Sequence, residues 1–208
     1  MICLFGNQKG GVGKSTLTVL TANYLSLARD WPVTIIDMDY QQSVSQKFEK
    51  AKVLENEEPY EVLPSTLETF PMLSNVLTRN KKDAVLIDLP GKLDDDGLIP
   101  VFKAADIVIC PFTYDEFTFE STVLFTVVFK KVNPKADIIF IPNRIKANVK
   151  FEIMTEVNEQ LSKFGTITSR LPDRIDFQRI TTFDTPLSLH GLISPVFEEI
   201  FADRLWKK

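Results

Sequence analysis

The sequence predicts an α/β fold with three layers, in which helices cover both faces of a mostly parallel sheet. Five short apolar runs are typical of buried strands, and they occupy residues 2–6, 33–36, 84–87, 107–110 and 138–141. Because these runs do not alternate between apolar and polar residues, both of their faces should be buried. Helix-length segments between the runs indicate parallel βαβ units. We expect one domain, residues 1–208.

The first half of the chain supplies the first helices of this fold. Helical periodicity within residues 14–27 places four side chains on one face: Leu17, Leu20, Tyr24 and Leu27. Residues 41–52 predict a polar surface helix. A short strand at 60–63 and a helix from about Ser65 come next.

The second half supplies three more helices. Residues 117–132 are apolar and long enough for a helix, residues 151–164 have an amphipathic pattern, and residues 196–206 predict a terminal helix. The consecutive acids Asp94, Asp95 and Asp96 suit the acidic start of a helix better than a metal cluster. His190 receives no role, since the sequence shows no partner for it.

Composition limits the kinds of partner. A net charge of −4 argues against a protein covered in positive charge for constitutive nucleic-acid binding, although it allows a local basic patch. Cys3 and Cys110 lie in apolar runs, which predicts buried thiols in a reducing cytoplasmic compartment. The sequence has no signal peptide and no apolar stretch that would span a bilayer, so we expect a soluble protein.

Residues 9–16, Lys-Gly-Gly-Val-Gly-Lys-Ser-Thr, lie between the first strand and the first helix. Glycines at three of these positions, Gly10, Gly11 and Gly13, let the backbone around Val12 turn its N–H groups towards phosphate oxygens. The positive end of the next helix faces the same anion. Lys14 supplies a charge for the β and γ phosphates, the Ser15 hydroxyl suits Mg²⁺, and Thr16 can reach the α phosphate. The segment predicts a phosphate-binding loop.

Candidate site residues follow the other predicted strands where each one ends. These residues are Asp37, Asp39, Asp88, Pro111 and Asn143. In parallel α/β sheets, ligands bind outside the carboxyl ends of the strands. Mg²⁺ keeps several waters and needs only one or two carboxylates, so this small set of acids is sufficient. A helix cap is the alternative interpretation for Asp37 or Asp39.

The loop motif resembles that of the ParA/MinD family of deviant Walker P-loop ATPases, whose signature Lys-Gly-Gly-x-Gly-Lys-Ser/Thr is intact. The resemblance implies that Lys9 reaches the nucleotide of a partner subunit across an ATP-dependent dimer. The chain departs from the common pattern at Gln8, which replaces the first glycine of the ordinary loop, and at Tyr40, where proline is usual.

The resemblance also implies roles for the carboxylates. Asp39 would orient or activate the attacking water, and Asp37 would support the Mg²⁺ shell. Asp88 resembles the Walker B aspartate, which holds Mg²⁺ through water, and Gly91 would lie in a nucleotide-sensing switch.

Two later segments resemble the family's adenine pocket. Asn143 and Arg144 match the position of an adenine-contacting asparagine, and Pro172 lies in the second such segment, residues 171–174. A plain strand-end loop is the alternative for both. Residues 111–115 resemble the segment that faces the dimer partner.

Absent features narrow the resemblance to the small partition ATPases that lack an N-terminal helix-turn-helix domain. No cysteine pair suits an iron–sulfur cluster, only one phosphate loop is present, and acids in the last helix disfavour membrane binding. The loop begins so early that we expect no DNA-binding domain before it. The resemblance implies ATP and Mg²⁺ as cofactors, an ATP-bound homodimer, and a centromere-binding partner that stimulates hydrolysis.

The same resemblance implies non-specific DNA binding and nucleoid association of the ATP-bound form. Candidate DNA-contacting cations are Lys146, Lys150, Arg174 and Arg179. Two alternatives stay open. One is a MinD-like positioning or maturation ATPase that acts on membrane or protein cargo without DNA, and the other is a nucleotide-controlled dimer with little turnover.

Overall fold

The computed structural model describes residues 1–52, 57–77, 83–91 and 96–205. Its strands are β1 Ile2–Phe5, β2 Val33–Asp37, β3 Glu61–Pro64, β4 Ala84–Asp88, β5 Ile107–Phe112, β6 Asp137–Pro142 and β7 Thr166–Ile167. In this part of the chain they form one seven-stranded sheet with the order β3-β2-β4-β1-β5-β6-β7. Every neighbouring pair is parallel. The predicted fold class is therefore confirmed.

Helices pack on both faces of this sheet. They are α1 Lys14–Leu27, α2 Ser43–Lys52, α3 Phe70–Leu77, α4 Leu98–Ala104, α5 Glu116–Val132, α6 Met154–Leu161 and α7 Leu187–Leu205, with a 3₁₀ helix at Ile175–Arg179. Successive side chains of a strand point to opposite faces of a sheet. In β1, accordingly, Cys3 and Phe5 join a core with α1, α2 and α7, whereas Ile2 and Leu4 join a core with α3, α4, α5 and α6.

The two cysteines are fully buried and free, as predicted. Both predicted strands that should have stopped before a proline run further. β5 continues through Pro111, which pairs with Ile141, and β6 ends on Pro142 itself. A proline loses only its N–H donor and keeps its carbonyl acceptor, so an extended strand can accommodate it at such a position.

Several helix boundaries differ from the predictions. Helix α1 has the predicted bounds, but Leu27, which was predicted on its apolar face, is exposed. The helix predicted from about Ser65 begins at Phe70, since a turn closed by the Thr66 amide and the Thr69 hydroxyl comes first. The amphipathic segment 151–164 is helical only over α6. Strand β7 and the 3₁₀ helix were not predicted, because both are too short for a periodic pattern.

The terminal helix begins nine residues earlier than predicted, at Leu187 in place of residue 196, and includes Pro195 within it. Of the acidic run, Asp94 and Asp95 lie outside the described residues, as does Trp206. Asp96 precedes α4, and its carbonyl accepts a hydrogen bond from the Ile99 amide at 3.1 Å. Among the helices that the structure describes, none combines the length and the apolar character that a bilayer span requires.

Candidate functional site

A cavity of about 680 Å³ opens at the carboxyl edge of the sheet, within the size range of small-molecule sites. Its wall brings together most of the predicted site residues: Gly10, Gly11, Gly13, Lys14, Ser15, Thr16, Asp39, Asn143, Arg144 and Pro172. The other predicted residues lie around it. Val12, Asp37 and Asp88 are buried, and Lys9 is exposed.

The loop between β1 and α1 depends on two glycines. Gly11 and Gly13 have φ of 77° and 99°, in the left-handed region that other residues rarely adopt. A Cβ atom on Gly13 would lie 2.4 Å from Asn143 Nδ2. Gly13 also precedes α1 directly and has no side chain to cap the helix, so the first N–H groups of α1 suit an anion.

Asn7 anchors the start of this loop, and no sequence motif predicted this role. Its buried side chain donates from Nδ2 to the Pro111 carbonyl at 2.9 Å and to Thr122 Oγ1 at 2.8 Å. Its Oδ1 accepts from the Lys9 amide at 2.9 Å. The loop is thus fixed to β5 and α5. Because Thr122 is 115 residues away in sequence, no local pattern could have revealed the contact.

A buried cation and a buried carboxylate lie beneath the loop. Burial lowers the pKa of Lys14, and the charges of Asp88 and Asp39 oppose that effect. Burial raises the pKa of Asp88 to about 7, whereas the nearby Ser15 hydroxyl and Lys14 act in the opposite direction. Thr18 Oγ1 lies 3.4 Å from Asp88 Oδ1.

The second oxygen of Asp88 fits a cation. Oδ2 is buried and has no hydrogen-bond partner among the residues that the structure describes. A buried acceptor of this kind is normally satisfied by a donor, a water or an ion. Within the same residues, no group of three or more His, Cys, Asp or Glu side chains could hold a metal ion. Because Mg²⁺ keeps several of its waters, Ser15 and Asp88 would be enough to hold it beside phosphate oxygens without such a group.

The paired aspartates after β2 have different surroundings. Asp37 is fully buried, and its Oδ2 accepts from the amide of Ser45 at 2.8 Å and from its hydroxyl at 2.9 Å, in the first turn of α2. Its Oδ1 accepts from the Asp39 amide at 3.3 Å. Asp37 therefore has the contacts of a helix cap, the alternative that the sequence left open. Asp39 is partly exposed and reaches the cavity.

The side chain of the signature lysine, Lys9, lies near the start of α5. Its Nζ lies 6.0 Å from the centroid of the Phe117 ring, at the start of α5. Phe117 is 73% exposed. Asp115 caps the same helix by accepting from the Thr118 amide at 2.9 Å. A lysine in this position can reach a molecule that contacts the protein at the start of α5.

The far end of the cavity is built by two segments that are remote in sequence. Ile145 and Pro172 form a parallel bridge, which places residues 143–145 beside residues 171–174. Asn143 Nδ2 donates to the Val12 carbonyl at 2.8 Å, so at least one of its two amide hydrogens holds the loop. Arg144 Nη1 donates to the Gly11 carbonyl at 2.8 Å.

Asp173 lines the cavity within the predicted adenine segment, and further residues line it that the sequence did not predict: Gln41, Lys47, Phe177 and Gln178. Lys47 extends from α2, and its Nζ lies 3.4 Å from the Ile180 carbonyl. Phe177 belongs to the unpredicted 3₁₀ helix and packs partly against the core. In the sequence both look like ordinary members of a surface helix or a loop, so only the fold identifies them.

The geometry agrees with a family model for the CobQ/CobB/MinD/ParA nucleotide binding domain, which matches residues 3–187. The chain belongs to this family. The family resemblance predicted from the loop motif is thereby confirmed.

Solved structures share this fold. A plasmid partition protein of Borrelia burgdorferi is 25% identical, with a TM-score of 0.66 over 86% of this chain and 93% of that chain. A structure described as a plasmid partition protein of Borrelia burgdorferi B31 bound to AMPPNP is 24% identical, with a TM-score of 0.77 over 97% and 98%.

A chain of the MinC:MinD cell division protein complex of Aquifex aeolicus is 17% identical, with a TM-score of 0.67 over 92% of this chain and 89% of that chain. At this identity the likeness shows the fold alone, as does that to the AMPPNP-bound structure. Among curated proteins, no sequence matches the chain significantly.

Proposed function

We propose that this protein is a ParA-like ATPase that binds and hydrolyses ATP with Mg²⁺ and forms an ATP-dependent sandwich dimer. In this proposal it partitions a plasmid or another mobile element through non-specific DNA binding. The phosphate loop above the buried Asp88, whose Oδ2 has no partner among the described residues, carries the ATPase part. The similarity to a plasmid partition protein at 25% identity supports the partition part.

Different residues of this chain would bind the phosphates, supply positive charge and hold Mg²⁺. The loop around Gly11 and Gly13 turns N–H groups towards the anion, and Lys14 supplies a buried positive charge. Ser15 and Asp88 would hold Mg²⁺. Asp37 would support this site indirectly, because its Oδ1 accepts a hydrogen bond from the Asp39 amide after β2. When bound, Mg²⁺ neutralises charge that develops on the transferred phosphoryl group.

Asp39 is the candidate for orienting the attacking water. It is partly exposed at the cavity, whereas Asp37 is enclosed by protein donors, so Asp39 is the aspartate of the pair that can contact a water beside the phosphates. A positioned carboxylate contributes roughly 10²- to 10⁴-fold to such a step. Asp39→Ala should therefore remove hydrolysis and leave ATP binding in place. Full hydrolysis in this variant would favour another group as the base.

Lys9 would make the nucleotide part of the dimer interface. It is exposed beside Phe117, and a second cation on the phosphates of the partner subunit would stabilise charge that develops during transfer. ATP-dependent dimerisation should be lost in Lys9→Ala, which light scattering with and without ATP can measure.

The candidate DNA-contacting cations lie on neighbouring loops of the carboxyl edge. Lys146 and Lys150 follow β6, Arg174 and Arg179 flank or end the 3₁₀ helix, and all four are exposed. The bridge between Ile145 and Pro172 holds the two loops side by side. Such a patch would give the acidic protein a local surface for DNA phosphates. A centromere-binding partner protein that stimulates hydrolysis completes the proposal.

DNA binding by the purified protein with ATP, with ADP and without nucleotide tests the partition role. We expect binding only with ATP, and Lys9→Ala or Lys14→Ala should abolish it. Lys146→Gln and Lys150→Gln should each lower the salt slope of binding by about one. Lys135→Gln, an exposed lysine before β6 at the opposite edge of the sheet, is the matched control. Intact ATP-dependent dimers that do not bind DNA would contradict this role.

A positioning or maturation ATPase that acts on membrane or protein cargo is the second candidate. The observation that favours it is an apolar groove of about 450 Å³ beside α5, lined largely by Phe119, Val123, Leu124, Val127 and Phe164. An exposed apolar surface of this kind often marks a protein contact. The DNA-binding measurement separates the two candidates, and measurable turnover lost in Asp39→Ala separates both from a nucleotide-controlled dimer with little hydrolysis.

A further inference from the structure

Arg144 has a backbone conformation that is uncommon for a residue with a side chain. Its φ is 56°, in the left-handed region. The neighbouring amides are fixed on both sides, since Asn143 N donates to the Phe112 carbonyl at 2.8 Å and Ile145 N to the Leu171 carbonyl at 3.0 Å. Conformations of this kind persist where the surroundings enforce them, and they cluster at functional sites.

The side chain that this conformation presents reaches back to the phosphate loop. Arg144 Nη1 donates to the Gly11 carbonyl at 2.8 Å, and Nε lies 3.8 Å from Asp173 Oδ1. The preceding residue, Asn143, donates to the Val12 carbonyl at 2.8 Å. Two consecutive residues after β6 therefore hold two consecutive carbonyls of the loop.

Holding a carbonyl also orients the amide on the same peptide plane. In a planar trans peptide the C=O and the N–H point in opposite directions. The Gly11 carbonyl shares its plane with the Val12 N–H, and the Val12 carbonyl shares its plane with the Gly13 N–H. Fixing both carbonyls therefore fixes the directions of two N–H donors before any ligand arrives.

We propose that Arg144 is a positioning residue, which holds the phosphate loop in its anion-binding conformation through the Gly11 carbonyl and is itself held by Asp173. This inference rests on the proposed function, because the loop conformation matters only if the loop binds the phosphates of a nucleotide. Asp173 lies beside Pro172, so the contact also joins the loop to the far end of the cavity. In this role Arg144 contacts the phosphate loop, and other residues contact the base of the nucleotide.

The first arm of the test measures the loop in the nucleotide-free protein. In Arg144→Gln, NMR order parameters of the Val12 and Gly13 amides should fall from about 0.85, typical of rigid backbone, to below about 0.6. Arg144→Lys should give an intermediate value, because its ammonium can bond the Gly11 carbonyl but lacks the fork that also meets Asp173. Arg174→Gln removes the same charge from the same cavity wall and should leave these amides rigid.

The second arm measures affinity with two probes. Loss of one charge-assisted hydrogen bond that orders the loop should weaken binding of Mg²⁺-pyrophosphate and of Mg²⁺-ATP by the same factor, about tenfold. A loss confined to ATP would overturn the proposal, since it would place Arg144 on the base. Loop amides as rigid as in the wild type, or amides loosened throughout the sheet, would also overturn it.

The two arms separate this inference from the proposed function. The order parameters are measured without nucleotide. If Arg144→Gln loosens the loop but the wild-type protein binds no ATP, the proposed function is contradicted and the positioning role of Arg144 stands. Tight ATP binding by Arg144→Gln with a rigid loop would overturn only the role of Arg144.

Discussion

The two ends of the cavity are built in different ways. The phosphate end consists of consecutive residues, 9–16, whose shape follows from glycines with positive φ and from the start of α1. The far end is assembled from residues 143–144 and 171–178, which the bridge between Ile145 and Pro172 and the backbone hydrogen bonds beside it bring together. The comparison teaches that a local motif can define the ligand class, whereas long-range packing decides how the rest of the ligand is enclosed.

The two ends nevertheless share a boundary at Asn143. Its Nδ2 holds the Val12 carbonyl, and the same atom occupies the space that a Cβ on Gly13 would need. The phosphate end is therefore local in its conformation but depends on the far end for support. Four substitutions test this division, from the largest expected effect to the smallest.

Removal of the buried charge at the phosphate end should have the largest effect. Lys14→Ala should lower the rate of ATP hydrolysis by roughly 10²- to 10³-fold, because a preorganised charge at the transferred phosphoryl group is lost. Steady-state hydrolysis at saturating ATP measures it. Arg174→Ala, which removes an exposed charge from the far end, is the control and should retain most of the activity. Equal losses in both variants would contradict the separation between the two ends.

A methyl group added at Gly13 should destabilise the fold. The left-handed backbone conformation at this position costs about 1–2 kcal/mol for a residue that has a Cβ atom. The added Cβ would also lie 2.4 Å from Asn143 Nδ2. We expect Gly13→Ala to lower the free energy of unfolding by about 2 kcal/mol or more. Gly10→Ala is the matched control in the same loop, since nothing lies within 4 Å of its added Cβ. Chemical denaturation measures both, and equal stability of the two variants would refute the argument from geometry.

Truncation of Asn143 should affect both ends to a moderate degree. Asn143→Ala removes the hydrogen bond to the Val12 carbonyl, which should weaken ATP binding about tenfold. It also makes room for the methyl group of Gly13→Ala. The double variant should therefore be more stable than the sum of the two single effects predicts. Strict additivity of the unfolding free energies would indicate that the two residues act independently.

Loss of the aromatic ring at the far end should have the smallest effect. Phe177 lines the cavity and can pack against a planar base, so Phe177→Ala should raise the dissociation constant for ATP several-fold, by about 1 kcal/mol. Hydrolysis at saturating ATP should stay unchanged, because a ring that packs on the base makes no contact with the transferred phosphoryl group. A lower rate of hydrolysis at saturating ATP, with unchanged affinity for ATP, would indicate that Phe177 acts at the phosphate end.

The sequence alone predicted most of the sheet and the position of the glycine-rich loop between β1 and α1. The buried strands contain runs of apolar residues whose pattern is readable without a partner, and β1, β2, β4, β5 and β6 all lie where predicted, apart from their ends. The turn at the loop glycines was predictable because it follows from backbone conformation and from the start of the next helix, which are properties of neighbouring residues. The roles of these glycines and of Lys14 at a phosphate stay predictions.

Only the tertiary structure decided the contacts that support this loop. Asn7 bonds Thr122 across 115 residues, and Asn143 bonds the Val12 carbonyl across 131. Asp37 is enclosed by Ser45, so the buried aspartate of the pair could be told from the cavity-facing Asp39 only in the fold. Hydrogen-bond partners of buried polar groups depend on which strands and helices become neighbours, and that order is fixed by packing of the whole chain rather than by local sequence.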